Sequence, residues 1–179
     1  LRCTQVKVVD LETDDDLAVG EVGEIVLRGS ACSESYYKDP EKTAEAWRGD
    51  WFHTGDLGRM DAEGRVAYVG RSKDMLKVGG ENVAALEIED FLGTHPAVKL
   101  AQVVAVPDPR YAEVPAAFVE LAPGADASEE ELIAFCKGTI SSFKIPRHVR
   151  FVTEWPMSAT KIQKFRLRDS LLAELGIDC

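Results

Sequence analysis

Metal-binding and disulfide patterns are both missing from this chain. Its four cysteines (Cys3, Cys32, Cys136 and Cys179) are scattered, with no C-x-x-C pair and no zinc spacing, so neither a metal site nor a disulfide framework is indicated and a reducing, cytoplasmic compartment is expected. No run of 18 apolar residues occurs, which leaves no candidate transmembrane segment. The opening residues Leu1-Arg2-Cys3-Thr4 carry neither an initiator Met nor a signal-peptide pattern, and read as a cut from something longer. Excess positive charge is lacking too. Against 21 Lys and Arg stand 31 Asp and Glu, a net −10 that argues against general affinity for nucleic acid or anionic membrane, because such surfaces bind through cations that release counterions. Internal repeats and low-complexity segments are absent.

What is there is an ordinary globular composition, 45% hydrophobic and 29% charged over 179 residues, enough for one domain or two small ones. The acidity is concentrated before Gly70. From Lys144 to Arg168 the sign inverts: Lys144, Arg147, Arg150, Lys161, Lys164, Arg166 and Arg168 face only Glu154. A local cationic strip on an acidic protein suits a small polyanion better than a duplex.

The first part reads as strands. Gln5 to Asp10 alternates polar and apolar residues, Gly23 to Gly29 is an apolar run bracketed by glycines, and Trp51 to His53 and Gly64 to Gly70 supply two more, with Asp61-Ala62-Glu63-Gly64 as a hairpin turn. Asp39-Pro40 starts a short helix through Trp47. After Gly70 strands and helices mix. Ala84 to Thr94 places Leu86, Ile88, Phe91 and Leu92 on one side of a helix; Val98 to Val106 and Pro115 to Leu121 are strands separated by a loop at Pro107 to Arg110. Ser128 and Glu131 form a capping box, His148 to Val152 is a strand, and Phe165 to Leu175 a closing helix. The expected class is α+β. Its divisions are a β-rich unit over residues 1–70, a hinge over 71–74 and a small α+β unit over 75–179.

Three polar constellations stand out, each with a plain structural alternative. Asp56, in Thr54-Gly55-Asp56, sits on an expected glycine-flanked turn where a carboxylate matches the two hydroxyls of a ribose; it also suits a turn Asp that satisfies its own loop. Arg71 to Val83 combines an arginine suited to phosphate or ribose with a Gly79-Gly80 turn that lets backbone approach a ligand; it also suits a charged linker before a hairpin. Pro156 to Lys164 is a small-residue loop ending in lysine, suited to charge developing on a phosphoryl or carboxylate oxygen, or simply to a solvated lysine near a helix start.

Taken together and in order, these strings resemble the adenylate-forming superfamily of acyl- and aryl-CoA synthetases, peptide-synthetase adenylation domains and luciferases. The resemblance runs through Gly23-Glu24-Ile25, Tyr36-Tyr37, Asp39-Pro40, Trp51-Phe52, Thr54-Gly55-Asp56, the block from Gly70 to Glu89, Val106-Pro107-Asp108, Phe143-Lys144, Pro146-Arg147 and the terminal lysine loop. The wording from Gly70 to Val83 looks like acyl-CoA ligases of the fatty-acid type, which makes CoA the expected acceptor.

The resemblance implies two steps. A carboxylic acid reacts with ATP and Mg to give an acyl-adenylate and pyrophosphate; the small domain then rotates and the acyl group passes to a thiol. It implies Asp56 and Arg71 as nucleotide-binding residues, Lys73 at the hinge, Lys161 as the catalytic lysine of the first step, and Gly79, Gly80, Glu81 and Asn82 beside the pantetheine arm. Lys137, Lys144 and Arg147 are candidates for the CoA phosphates. The family has Gly directly before that lysine, whereas here Thr160 precedes Lys161, as if one residue were deleted from the loop, so Lys164 is the fallback assignment. Its phosphate loop and acyl pocket do not occur in residues 1–179, and the chain is expected to be an inactive C-terminal fragment. Alternatives are an adenylation domain that delivers to a carrier-protein thiol, or a non-catalytic nucleotide- or CoA-binding module.

Overall fold

The computed structural model describes residues 4–177. The chain divides into two compact units, Leu1–Lys73 and Asp74–Cys179.

In the first unit five strands form an antiparallel sheet: β1 (Thr4–Val9), β2 (Gly23–Gly29), β3 (Trp47–Arg48), β4 (Trp51–Met60) and β5 (Val66–Arg71). Strand β4 carries the sheet, pairing with β2, β3 and β5. It is long enough to do so because two register shifts, opposite Glu24/Val26 and at Leu57/Gly58, bend it. Gly58 is required at that bend: a Cβ there would lie 2.7 Å from Ile25 Cδ1 and 2.8 Å from the Ala67 carbonyl oxygen. Helix α1 (Pro40–Ala46) begins as its sequence predicts, with the Asp39 carboxylate accepting from the Lys42 N–H at 2.9 Å and Pro40 in the first turn, where no N–H is needed. The Asp61–Arg65 hairpin closes on the Asp61 carboxylate, which accepts backbone N–H bonds from Glu63 and Arg65; these hold its pKa below the ordinary value.

The second unit contains β6 (Met75–Val78), β7 (Glu81–Ala84), α2 (Ala85–Gly93), β8 (Val98–Asp108), β9 (Ala112–Leu121), α3 (Glu129–Cys136), β10 (His148–Phe151), β11 (Met157–Ser158), β12 (Lys161–Ile162) and α4 (Lys164–Leu175). Strand β9 is central, antiparallel to β8 and β6 and parallel to β10. The period of two along β8 and β9 sorts the core into layers. Ala101, Val103, Ala117 and Val119 pack with Ile88 and Leu92 of α2 and Leu132 of α3. Val104, Val106, Ala116 and Phe118 pack with Leu167, Leu171 and Leu172 of α4. Each fully buried leucine among these contributes about 1.5–3 kcal/mol by leaving water. The capping box of α3 is complete: Ser128 Oγ accepts from the Glu131 N–H and the Glu131 carboxylate accepts from the Ser128 N–H.

The fold is α+β, strands first and a mixed unit second. Two local expectations change. Pro107 lies inside β8 and the connection to β9 shrinks to Pro109, Arg110 and Tyr111, because the Asp108 carboxylate caps the Arg110 and Tyr111 N–H groups and Ala112 adopts φ +63°. The terminal lysine segment is a two-stranded hairpin, β11–β12, turning at Ala159 (φ +32°) and Thr160, where a loop was expected.

Among the described residues strand β8 pairs with β9 alone, so no strand lies on its other edge. Side chains occupy it: Gln102 Nε2 donates to the Ala101 carbonyl (2.8 Å), the Val103 N–H donates to Glu89 (2.7 Å) and Arg168 Nε donates to the Ala105 carbonyl (3.1 Å).

Candidate functional site

Asp56 lies within β4, inside a strand where the sequence suggested a turn; the reason is that Gly55, at φ +69°, takes up the irregularity without ending the pairing. On the neighbouring strand its Cα partner is Arg71, whose Nε stands 2.8 Å from Asp56 Oδ1. That contact is an ion pair without hydrogen-bond alignment, and Asp56 Oδ1 is buried without a hydrogen bond among the described residues. The carboxylate is thus held by one oxygen against Arg71 while the Asp56 side chain as a whole stays 31% exposed.

The segment is fixed from below by a residue that sequence reasoning left unassigned. Glu24 of β2 is 5% exposed, yet polar. Its Oε1 accepts the Gly55 N–H at 2.8 Å, and Oε2 meets His53 Nδ1 at 2.9 Å and Arg48 Nη2 at 3.2 Å. Thr54 Oγ1 donates to the Ile25 carbonyl (2.6 Å) and accepts from the Asp56 N–H (3.0 Å). The residues flanking Gly55 are thus tied to β2. The one signal available beforehand was an acid at the buried start of an otherwise apolar strand.

In the second unit, Gly79 and Gly80 form the turn of the β6–β7 hairpin with φ +61° and +92°, values that favour glycine. The Gly79 N–H donates to the Tyr111 carbonyl at 2.8 Å. Beside the turn lies a cavity of about 140 Å³, lined in part by Val78, Tyr111, Val114, Phe143, Ile145 and Arg147. The Tyr111 ring has the guanidinium groups of Arg110 and Arg147 at 5.1 and 5.3 Å from its centroid. Gly79 and Arg147, two of the expected CoA-side residues, thus both adjoin Tyr111, which sequence reasoning did not single out. Glu81 and Asn82 are exposed on β7. Lys144 is engaged, its Nζ 2.5 Å from Glu87 Oε1. Lys137 is an exposed residue closing α3 and is not among the residues that line that cavity. Lys73 is exposed in a 3-10 turn, Ser72–Asp74.

The two candidate lysines differ in their surroundings. Lys161, on β12, is exposed and has no ion-pair or hydrogen-bond partner for its side chain among the described residues. Lys164, the first residue of α4, places Nζ 2.6 Å from Oε1 of Glu89, a carboxylate only 9% exposed.

Among the described residues no cluster of His, Cys, Asp and Glu could hold a metal ion, and no helix is long and apolar enough to cross a membrane. Cys32 and Cys136 are free, and burial pushes the Cys136 thiol up to about 11.

A family profile described as the AMP-binding enzyme C-terminal domain matches residues 87–161. The chain is 44% identical over 176 residues to the medium-chain acyl-CoA ligase ACSF2, mitochondrial, of Bos taurus, covering 97% of this chain and 29% of that protein. It is 46% identical over 171 residues to the putative acyl-CoA synthetase YngI of Bacillus subtilis, covering 94% and 31%. The crystal structure of the anthranilate CoA ligase AuaEII in complex with anthranoyl-AMP superposes with a TM-score of 0.85 at 38% identity, over 96% of this chain and 34% of the other. The chain therefore spans less than a third of the length of these two curated relatives. It belongs to the adenylate-forming superfamily and corresponds to the C-terminal portion of those enzymes.

Proposed function

We propose that the chain is the C-terminal part of an ATP-dependent acyl-CoA synthetase, in which Lys161 serves the first of two half-reactions. In that step a carboxylate oxygen of the acid bonds to the α-phosphorus of ATP and the bond to pyrophosphate breaks. Negative charge grows on the non-bridging oxygens, and the Lys161 ammonium stabilises it without transferring a proton. Asp56 accepts from the ribose hydroxyls, with Arg71 beside it holding the carboxylate in place. Magnesium arriving with ATP neutralises phosphate charge; the chain's own side chains are assigned no part in holding it. In the second step the CoA thiol gives up its proton, sulfur attacks the acyl carbon and AMP departs. Gly79, Gly80, Glu81 and Asn82 line the pantetheine arm, and Arg147, Lys144 and Lys137 meet the CoA phosphates. A swing about Lys73 exchanges the two faces, and the fragment alone is inactive.

What carries this reading is the contrast between the lysines: among the described residues Lys161 has no carboxylate partner, while Lys164, three residues on, is bound to Glu89. Two relatives whose names state acyl-CoA ligase or synthetase chemistry support the reaction class. The test is Lys161→Ala in the full-length enzyme, assayed by acid-dependent pyrophosphate exchange. A loss of about 100- to 1,000-fold is expected, the scale of removing one donor to a developing oxyanion. An unaffected variant would overturn the assignment. Lys73→Pro in the same enzyme should slow thioester formation more than adenylation, and equal losses would count against the hinge.

A further inference from the structure

We propose that Glu89 and Lys164 are positioning residues for Lys161, forming a clasp around the free edge of β8 that sets where the lysine hairpin stands. The inference rests on the role proposed above for Lys161. Helix α2 packs on one layer of the sheet and α4 on the other. The pair Glu89–Lys164 is therefore a bridge between helices on opposite faces, passing around the strand's edge. Glu89 Oε1 accepts the Val103 N–H at 2.7 Å and meets Lys164 Nζ at 2.6 Å, so one buried oxygen gathers α2, β8 and α4.

The geometry links this point to Lys161 over a short, stiff path. Lys164 begins α4 directly after Gln163, whose N–H donates to the Pro156 carbonyl at 2.8 Å and closes the base of the β11–β12 hairpin. Met157 pairs with Ile162 and Ser158 with Lys161 above it. The other leg is tied by Trp155, whose Nε1 donates to Glu120 Oε2 at 2.7 Å. Beyond these two ties the hairpin is held, among the described residues, by its own ladder and by the packing of Trp155 and Ile162 against the α4 layer. Neutralising Lys164 through Glu89 also spares Lys161 a cationic neighbour in search of the same anion. A buried charge stripped of its partner must move toward water, which would draw the start of α4 and the hairpin with it.

The experiment uses full-length enzyme and measures both half-reactions in one preparation: pyrophosphate exchange for adenylation, and release of AMP from supplied acyl-adenylate plus CoA for the second. Their ratio does not depend on the folded fraction. Lys164→Met and Glu89→Gln should each lower the adenylation rate constant about 10- to 100-fold, the effect of misplacing a reacting group by an ångström or so, with the KM for ATP and the second half-reaction within twofold. Lys164→Arg, which can still reach Glu89, should restore most of the loss. If both half-reactions fall together in Lys164→Met and Glu89→Gln, the pair is merely structural and the clasp is refuted. If Lys161→Ala is impaired while both clasp variants are normal, the clasp fails and the role of Lys161 stands. If Lys161→Ala is normal and Lys164→Arg is as impaired as Lys164→Met, Lys164 is itself the reacting lysine and both readings fall.

Discussion

Removing the Glu24 carboxylate should destabilise the first unit by about 3 kcal/mol, and the bonding pattern says where that comes from. In Glu24→Ala the half-buried Gly55 N–H loses its acceptor, at a cost of about 1–3 kcal/mol for an unsatisfied donor. His53, whose side chain is 6% exposed, loses this carboxylate but keeps Arg48 Nη2 at 2.6 Å from its Nδ1, so it adds about 1 kcal/mol, the net worth of one hydrogen bond. Arg48 adds little, because its side chain is 42% exposed and keeps a second contact, Asp14 Oδ1 at 3.1 Å. A loss of about 3 kcal/mol lowers the folded-to-unfolded ratio by roughly two powers of ten. Glu24→Gln should lose about half as much, since its amide oxygen still accepts from Gly55. The assay is urea unfolding of the chain at neutral pH, comparing midpoints at constant slope. A loss below about 1 kcal/mol for Glu24→Ala would refute the reasoning. So would a double-mutant cycle with Arg48→Met that returned most of the loss as coupling, since that would place the energy in the exposed ion pair.

Two further outcomes follow from the same structure. Gly58→Ala should destabilise more than Gly55→Ala in denaturant unfolding: the former drives a Cβ against Ile25 and the Ala67 backbone, whereas the latter meets only Ser72 Oγ at 3.8 Å and costs the about 1–2 kcal/mol of a left-handed conformation. His148 has a pKa held below the ordinary 6.5 by burial and by Arg150 and Arg147, with Glu174 and Glu129 opposing them. The unfolded chain then binds the proton more readily, so stability is full above the ordinary value and falls as pH drops through the lower folded one. Unfolding midpoints measured from pH 7.5 down to 5.5 should decline in the parent chain and decline less in His148→Gln; parallel curves would show that His148 contributes nothing.

The elements that announced themselves in the sequence did so through local chemistry. The α3 capping box, the Asp39-Pro40 start of α1, the Asp61–Arg65 hairpin and the Gly79-Gly80 turn all depend on residues within a few positions of one another. The core of β8 and β9 was legible because alternation survives whatever packs above it. Asp56 was found as a residue, but its setting was misread, since a single glycine at positive φ inside a strand looks the same in sequence as a turn. Glu24 and Glu89 were opaque for a different reason. Their partners lie 31 positions away at Gly55 and 75 away at Lys164, and nothing in the pattern of apolar residues reveals that a carboxylate will be buried to meet them. Tyr111 was hidden likewise, because its place beside Gly79 and Arg147 exists only once the β8–β9 connection has tightened.

The occupied margin of β8 bears on how the protein behaves in a crowded solution. An eleven-residue apolar strand with an open ladder on one side is a template onto which another molecule's strand can add, the first step toward insoluble fibres. Here the groups that such a visitor would need at Ala101, Val103 and Ala105 are already spoken for by an amide, a carboxylate and a guanidinium. Strand addition at this margin would have to break three existing hydrogen bonds before it made any.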